Sequence, residues 1–299
     1  YIPIWYMNLS SFIQYSPTES YYNYKNGIKF TYNCKHYTLT ITTTAEAVLG
    51  KIDITLGDYT EYMEKIKNIV TEVIGRNIED KELILKRIDY KVDIELTDTE
   101  MKIFKLLKDK HYSKYKYMSS KIEYDTSTHL NNKSGQTNIN SYDKYEESQD
   151  IRYWNIWRIE VQVKKAKLRK NLIRYGIERT LENYWNIDSF NENYFDFLQD
   201  YFFLGDYYRL DLAKELIRKS PYSKTVKGNL CKFVTRINKV GMTCTKEKYG
   251  YNYVTMKKYI DLLNNIGVNP VTINNDSEVT FMENMLSKSR KIVNEKYFV

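Results

Sequence analysis

Three stretches of the chain alternate apolar and polar residues, and each places chemically able side chains on its polar side. In residues 84–96 (ILKRIDYKVDIEL), Ile88, Tyr90, Val92 and Ile94 take one face, and Arg87, Asp89, Lys91 and Asp93 take the other. In residues 155–163 (NIWRIEVQV), Trp157, Ile159, Val161 and Val163 point one way, and Arg158, Glu160 and Gln162 the other. Residues 137–147 put Asn138, Asn140, Tyr142 and Lys144 on one face. If these polar faces belong to one sheet, Asp89, Glu160, Tyr142 and Lys144 converge. Two carboxylates from different strands can hold a hard divalent ion such as Mg²⁺ or Mn²⁺. Such an ion polarises a phosphate, and a tyrosine beside it supplies a nucleophilic oxygen. Lys144 can then lower the phenol's pKa or protonate the leaving oxygen. The same alternation also describes the wet faces of an ordinary antiparallel sheet. Alternation alone does not choose Tyr142 from 30 tyrosines.

The elements that must position these residues follow from pattern. Residues 28–34 and 36–42 are β-branched and aromatic and read as a hairpin. From Asp58 the apolar spacing turns helical through Met63, Ile66, Ile69, Val70 and Val73, with Gly75 as a stop. Thr97 or Asp98 caps a second helix carrying Met101, Phe104 and Leu107. Residues 118–130 and 137–147 flank a polar turn at 131–136 and read as another hairpin. After Val163 the strand signal almost stops. Helices are expected over 164–183, 190–203, 206–219, 223–240, 253–266 and 279–296. The fold class is therefore α+β, an antiparallel sheet followed by an all-helical region. The expected division is 1–205 and 206–299, with the seam at Gly205 or at Ser220-Pro221.

Composition removes several classes. The 299 residues carry a formal charge of +8 and are 42% hydrophobic, which is too apolar for a disordered tail. No run of about 18 apolar residues exists, so no membrane span is expected. Cys34, Cys231 and Cys244 cannot all pair and form no C-x-x-C, which points to a reducing compartment and away from a zinc knuckle. The three histidines, His36, His111 and His129, form neither H-x-H nor H-E-x-x-H. Glycine is scattered singly, which argues against a P-loop or a dinucleotide fold. The excess of Tyr, Lys, Asn and Ile fits an AT-rich gene. It also fits a nucleic-acid partner, because lysines meet phosphates and aromatics stack on bases. The first residues lack the basic and apolar regions of a signal peptide, and residues 1–20 are given no function.

Basic residues gather in two places. Lys164, Lys165, Lys167, Arg169, Lys170 and Arg174 follow the Glu160 strand directly and suit a phosphate clamp, although some must be solvated whatever the function. Lys257 and Lys258 lie on the second of two helices joined by a glycine-containing turn. That arrangement suits a helix-turn-helix or winged-helix reader, and equally suits plain helix packing. Leu230, Phe233, Val234, Ile237, Ile260 and Leu263 read as core.

Taken in order, these motifs resemble a known family. Arg87-Ile88-Asp89, then Ser141-Tyr142-Asp143-Lys144 with Glu146, then Trp157-Arg158-Ile159-Glu160-Val161 with Leu168, are similar to the filamentous-phage gene II type of rolling-circle replication initiator and to related plasmid initiators. The flanking Leu39-Thr40-Ile41 with Ala45 to Gly50, and Tyr259 to Gly267, extend the resemblance over roughly residues 28–270. It implies an origin-specific DNA endonuclease and strand transferase working through a 5′-phosphotyrosine. The nucleophile would be Tyr142, the metal carboxylates Asp89 and Glu160, and Lys144 a phosphate-contacting or acid group. Arg87, Lys91, Arg158, the run from Lys164 to Lys170, Lys257 and Lys258 would contact DNA. The fold implied is the nicking domain that usually bears a metal-binding histidine pair, here without the pair; His129 can add a ligand. Mg²⁺ or Mn²⁺, double-stranded origin DNA, a single strand at the nick, and host helicase and polymerase are the implied partners. A bacterial cytoplasm and a monomer or homodimer complete the expectation. Asp93 has no counterpart in the family and is left as an ion-pair partner. The chain lacks the Arg-His-x-x-Arg constellation of tyrosine recombinases. The other reading is a non-enzymatic DNA-binding initiator or repressor.

Overall fold

The structure is a computed structural model, and it describes residues 2–3, 20–25, 28–33, 38–111, 118–132 and 134–297. Cys34, His36 and Lys133, which entered the readings above, lie outside the described residues. In chain order the elements begin with β1 (Ile2–Pro3), β2 (Ser20–Lys25), β3 (Ile28–Asn33), β4 (Thr38–Thr42), α1 (Ala45–Leu49) and α2 (Tyr59–Ile74). Then come β5 (Arg87–Glu95), α3 (Asp98–Lys108), β6 (Met118–Tyr124), β7 (Ser127–Asn132), β8 (Thr137–Asp143), α4 (Lys144–Ser148) and β9 (Ile156–Lys164). The helical part holds α5 (Lys165–Tyr175), α6 (Ile187–Phe190), a π-turn at Asn191–Phe195, α7 (Asp196–Phe202), α8 (Leu210–Lys219), α9 (Lys224–Tyr249), α10 (Tyr253–Asn264) and α11 (Met285–Tyr297). It also holds β10 (Tyr207–Tyr208) and β11 (Phe281–Met282). The class is α+β with antiparallel sheets. Among the described residues no helix is long and apolar enough to cross a membrane.

Several boundaries differ from the pattern-based expectation. The stretch 118–130 is not one strand: it folds back at Asp125-Thr126 into the β6–β7 hairpin, with Tyr124 opposite Ser127. The strand expected over 137–147 stops at Asp143, whose carboxylate accepts hydrogen bonds from the Tyr145 and Glu146 amides and starts α4. Lys144 is therefore helical and does not continue the strand face. The helix expected over 164–183 ends at Tyr175 with Gly176 as its cap. The helix expected over 223–240 runs on to Tyr249 as 26 residues with a kink at Gly241. Gly241 has φ 76°, and a Cβ there would press on the Lys110 backbone, whose carbonyl accepts from the Met242 amide at 2.8 Å. Only glycine takes that conformation at low cost.

The chain divides into two compact units, each built from two stretches: 1–88 with 164–190, and 89–163 with 191–299. These boundaries differ from a division at 205/206, and Gly205 is buried inside the second unit. The first unit holds the sheet β1-β4-β3-β2. Ile28, Phe30 and Leu39 from this sheet share a core with Met63, Ile66, Val70 and Ile74 of α2. Burying side chains of this size stabilises by about 1.5–3 kcal/mol each. Near its edge Arg76 donates to both oxygens of Glu82 at 2.6 and 3.1 Å. That guanidinium, helped by the Glu79 amide, pulls the Glu82 pKa down to about 2. Between that value and the ordinary glutamate pKa of about 4.3, the unfolded chain binds more protons than the native one, so stability rises with pH. Arg76→Met is therefore expected to flatten the loss of stability on acidification from pH 5 to pH 2.5, read by urea titration. An unchanged slope would count against the pair.

The second unit holds the sheet β5-β9-β8-β7-β6. Alternation works as expected: Tyr90, Val92, Ile94, Leu130, Ile139, Trp157, Ile159, Val161 and Val163 are buried. Phe104 of α3 lies edge-on to Trp157 at 5.0 Å and near Phe202 of α7. Leu230, Phe233, Val234, Ile237 and Leu263 are buried as expected, and Ile260 is half-buried.

Candidate functional site

Strand register brings the polar residues of the second sheet into rows. Across β8 and β9, Asn138 faces Gln162, Asn140 faces Glu160 and Tyr142 faces Arg158. Across β7 and β8, His129 faces Asn140 and Ser127 faces Tyr142. The Asp93–Arg158 and Leu96–Asn155 contacts run in opposite directions along β5 and β9. Counting along the strands from them puts Lys91 opposite Glu160. Asp89 then stands one diagonal step from Glu160, about 7–8 Å between backbones.

The centre of this face is a hydrogen-bonded set. The Tyr142 hydroxyl donates to Glu160 Oε1 at 2.7 Å. Asn140 Nδ2 donates to Glu160 Oε2 at 3.5 Å, and Asn140 Oδ1 lies 2.9 Å from His129 Nδ1. Burial first, then the Glu160 charge and its hydrogen bond, push the Tyr142 pKa well above that of a free phenol; Arg158 opposes them. Tyr142 is therefore neutral at rest, with its proton held toward Glu160. Glu160 is half-buried and, among the described residues, has no ion-pair partner. Its oxygens meet a phenol and an amide, with the Lys91 cation on the neighbouring strand, so the carboxylate keeps charge with which to hold a divalent cation. Among the described residues no three His, Cys, Asp or Glu side chains stand together as a metal cluster. One or two carboxylates suffice for Mg²⁺ when phosphate and water complete its shell, so Glu160, with the exposed Asp89 beside it, fits such an ion.

The other residues of the sequence-derived set stand as follows. Lys144, at the first turn of α4, pairs with Glu147 at 2.5 Å, and its amine lies 5.9 Å from the Tyr142 ring centroid. It also lies 5.2 Å from the Tyr153 ring, and Arg158 covers the same ring at 5.5 Å. Arg158 is only 4% exposed and gives Nε and Nη2 to Asp93 at 2.5 and 2.6 Å. Arg158 is thus committed to Asp93, the ion-pair role left open for that aspartate, and is not a surface cation. Removing the aspartate strands a buried guanidinium. Asp93→Ala is expected to destabilise the fold by about 3 kcal/mol, and adding Arg158→Met to recover much of it. Denaturant midpoints of both variants test this; equal loss in the single and double variants would sink it.

Arg87 is exposed at the start of β5, and Lys91 is half-exposed. Lys164 ends β9, and Lys165, Lys167, Arg169 and Lys170 lie on α5, in the unit that does not contain Tyr142. On α5 only Leu168 and Asn171 are buried, so most of its cations meet solvent. Lys257 and Lys258 are exposed on α10, beside Tyr253 and Val254. The turn from α9 to α10 is short, and the Asn252 side chain accepts from the Thr255 amide to start α10. Phe233 packs against Tyr259 and Tyr251 at 5.3 Å each, which seats α10 on α9.

Two members of the site carried no sequence signal of their own. Asn140 was one of several polar residues on its strand, and only the register with His129 and Glu160 sets it apart. Tyr153 comes from the short helical turn Ile151–Tyr153, outside every alternating stretch. The position of Lys144 was readable, because Asp143 followed three residues later by Glu146 is a helix-start signature. Compared with known proteins, the chain matches no family model, and no curated protein matches it significantly.

Proposed function

We propose that the chain is an origin-specific, metal-dependent single-strand DNA endonuclease and strand transferase that initiates rolling-circle replication through Tyr142. The observation that carries the reading is the 2.7 Å hydrogen bond from the Tyr142 hydroxyl to Glu160. It joins a nucleophile to a proton acceptor on a polar sheet face. In the proposed reaction Glu160 receives the phenol proton as Tyr142 Oη bonds to phosphorus. The bond from phosphorus to the 3′ oxygen breaks, and that oxygen takes up a proton to become a 3′ hydroxyl. Reversal with a second 3′ hydroxyl rejoins the strand. Glu160 and Asp89 would hold Mg²⁺ or Mn²⁺, which when bound supplies positive charge to the phosphate. Lys144, close to the Tyr142 ring, would meet a phosphate on leaving Glu147. The residues after 205, with Lys257 and Lys258 on α10, would read duplex origin DNA, and the cations of α5 would contact backbone phosphate. Host helicase and polymerase, in a bacterial cytoplasm, would use the 3′ end.

The test uses the whole chain, a single strand spanning the origin of its own replicon, and Mn²⁺. After denaturation, a covalent adduct is sought by gel shift and mapped by peptide mass spectrometry. An adduct on Tyr142 supports the proposal. An adduct on another tyrosine keeps the reaction and moves the nucleophile. Tight binding with no adduct leaves a non-enzymatic initiator or repressor.

A further inference from the structure

We infer that Asn140 is a positioning residue. It aims the Glu160 carboxylate and holds His129 in the form protonated at Nδ1. The consequence for a bound ion rests on the proposed role of Glu160; the positioning itself does not. The argument is one of hydrogen-bond polarity. An ionised carboxylate only accepts, so the Asn140 group facing Glu160 must be its NH₂. The amide oxygen therefore faces β7, where His129 Nδ1 lies 2.9 Å away. An amide oxygen only accepts, so Nδ1 must carry the proton. In a neutral ring this leaves the lone pair on Nε2.

Each link of this chain is set by the sheet. His129, Asn140 and Glu160 sit directly opposite one another on three adjacent strands. The Tyr124 ring stands edge-on to the His129 ring at 6.1 Å. Glu160 has one oxygen on Tyr142 and the other on Asn140, so the two donors together fix the carboxylate plane. Without Asn140 the carboxylate keeps only the Tyr142 contact and can turn about it. Partners of this kind, one step behind a metal ligand, typically change metal affinity 10–100-fold when removed. Asn138 and Gln162 form the neighbouring row of the same face and provide a control position.

Two readouts on the full-length chain test the inference. Long-range ¹H–¹⁵N spectra report the His129 ring tautomer without any metal. The wild type is expected to show Nδ1–H, and Asn140→Leu to revert to the Nε2–H form that an unconstrained histidine side chain favours. Mn²⁺ alone is then titrated and followed by electron paramagnetic resonance. Asn140→Leu is expected to weaken binding about 10–100-fold, and Asn138→Leu to leave it unchanged. His129→Ala is expected to weaken it, and His129→Asn, which keeps an N–H donor at the Nδ1 position, to restore it. Circular-dichroism melts confirm that each variant is folded. An Nε2–H ring in the wild type overturns the inference, and so does Mn²⁺ affinity in Asn140→Leu equal to wild type. An Nδ1–H ring in a wild type that binds no Mn²⁺ supports the positioning and sinks the metal role of Glu160 instead.

Discussion

Tyr142→Phe is expected to abolish covalent joining to DNA while leaving single-strand binding within about twofold of wild type. The substitution removes one oxygen and keeps the ring, so the packing on β8 and the Lys144 contact with the ring survive. It removes the only atom proposed to bond to phosphorus. Loss of a nucleophile reduces turnover by about 10⁴-fold or more. Stability should change little, by about 1 kcal/mol, because one hydrogen bond to a charged, half-solvated acceptor is lost. Adduct yield on origin DNA, a filter-binding isotherm and a thermal melt on the same preparation separate these effects. Retained adduct in Tyr142→Phe would remove Tyr142 from the chemistry. Binding lost together with cleavage would show that the residue holds DNA instead of cutting it.

Gly205→Ala is expected to be the most damaging single change to the fold. A Cβ at Gly205 would lie 2.2 Å from the Val268 carbonyl carbon and 2.5 Å from the Asn269 nitrogen. Both are backbone atoms, so no side chain can turn away. The joint around them is dense. Asn284 Nδ2 donates to the Gly205 carbonyl at 2.7 Å and Asn269 Nδ2 donates to it at 3.0 Å. Both amides also reach the Phe202 carbonyl, and both side chains are fully buried. Phe203 is held at φ 61° and ψ −176°, a region that favours glycine and costs a larger residue about 1–3 kcal/mol. Opening the joint breaks these bonds and leaves buried polar groups unmatched, so a loss above about 4 kcal/mol is expected. That is a large share of a typical total of 5–15 kcal/mol. Gly228→Ala, in an exposed interior turn of α9 with nothing within 4 Å of its Cβ, should do the opposite and stabilise by about 1 kcal/mol. Soluble yield and melting temperature read both; a Gly205→Ala melt close to wild type would refute the joint.

The contrast between these two glycines shows what was legible. Both look alike in the sequence, and Gly205 reads there as a seam because it follows an apolar helix and precedes a new one. Only the long-range approach of Val268 makes it irreplaceable, and a contact 63 residues away leaves no local trace. The strands β5 and β9 were readable because one face is buried and period-two alternation reports that directly. The β6–β7 hairpin was missed because its turn, Asp125-Thr126, lacks the Asn-Gly or Asp-Gly pair that marks tight turns. The β7–β8 hairpin was read, but with all of 131–136 as its turn; the ladder in fact runs on to Asn131 opposite Asn138, and that sets His129 opposite Asn140. The pairing of Tyr142 with Glu160 follows from alternation once β8 and β9 are neighbours. Lys144 was misplaced by continuing a period through the cap at Asp143.

The interleaved path of the chain has a consequence for how the protein must be made. The first unit is closed only when residues 164–190 return to it, after all of residues 89–163 have been synthesised. On the ribosome the unit must therefore wait, incomplete though its four strands are made by residue 42, for more than half the chain to emerge. The second unit waits longer, since Phe104 of α3, which packs on Trp157 of β9, is itself packed on Phe202 and Tyr207 from beyond residue 191. A gene fragment ending at residue 205 would keep Phe202 but lose Tyr207, and so leave Phe104 with part of its cover missing. Such a fragment exposes aromatics that the whole chain buries, the condition under which nascent chains aggregate or recruit chaperones.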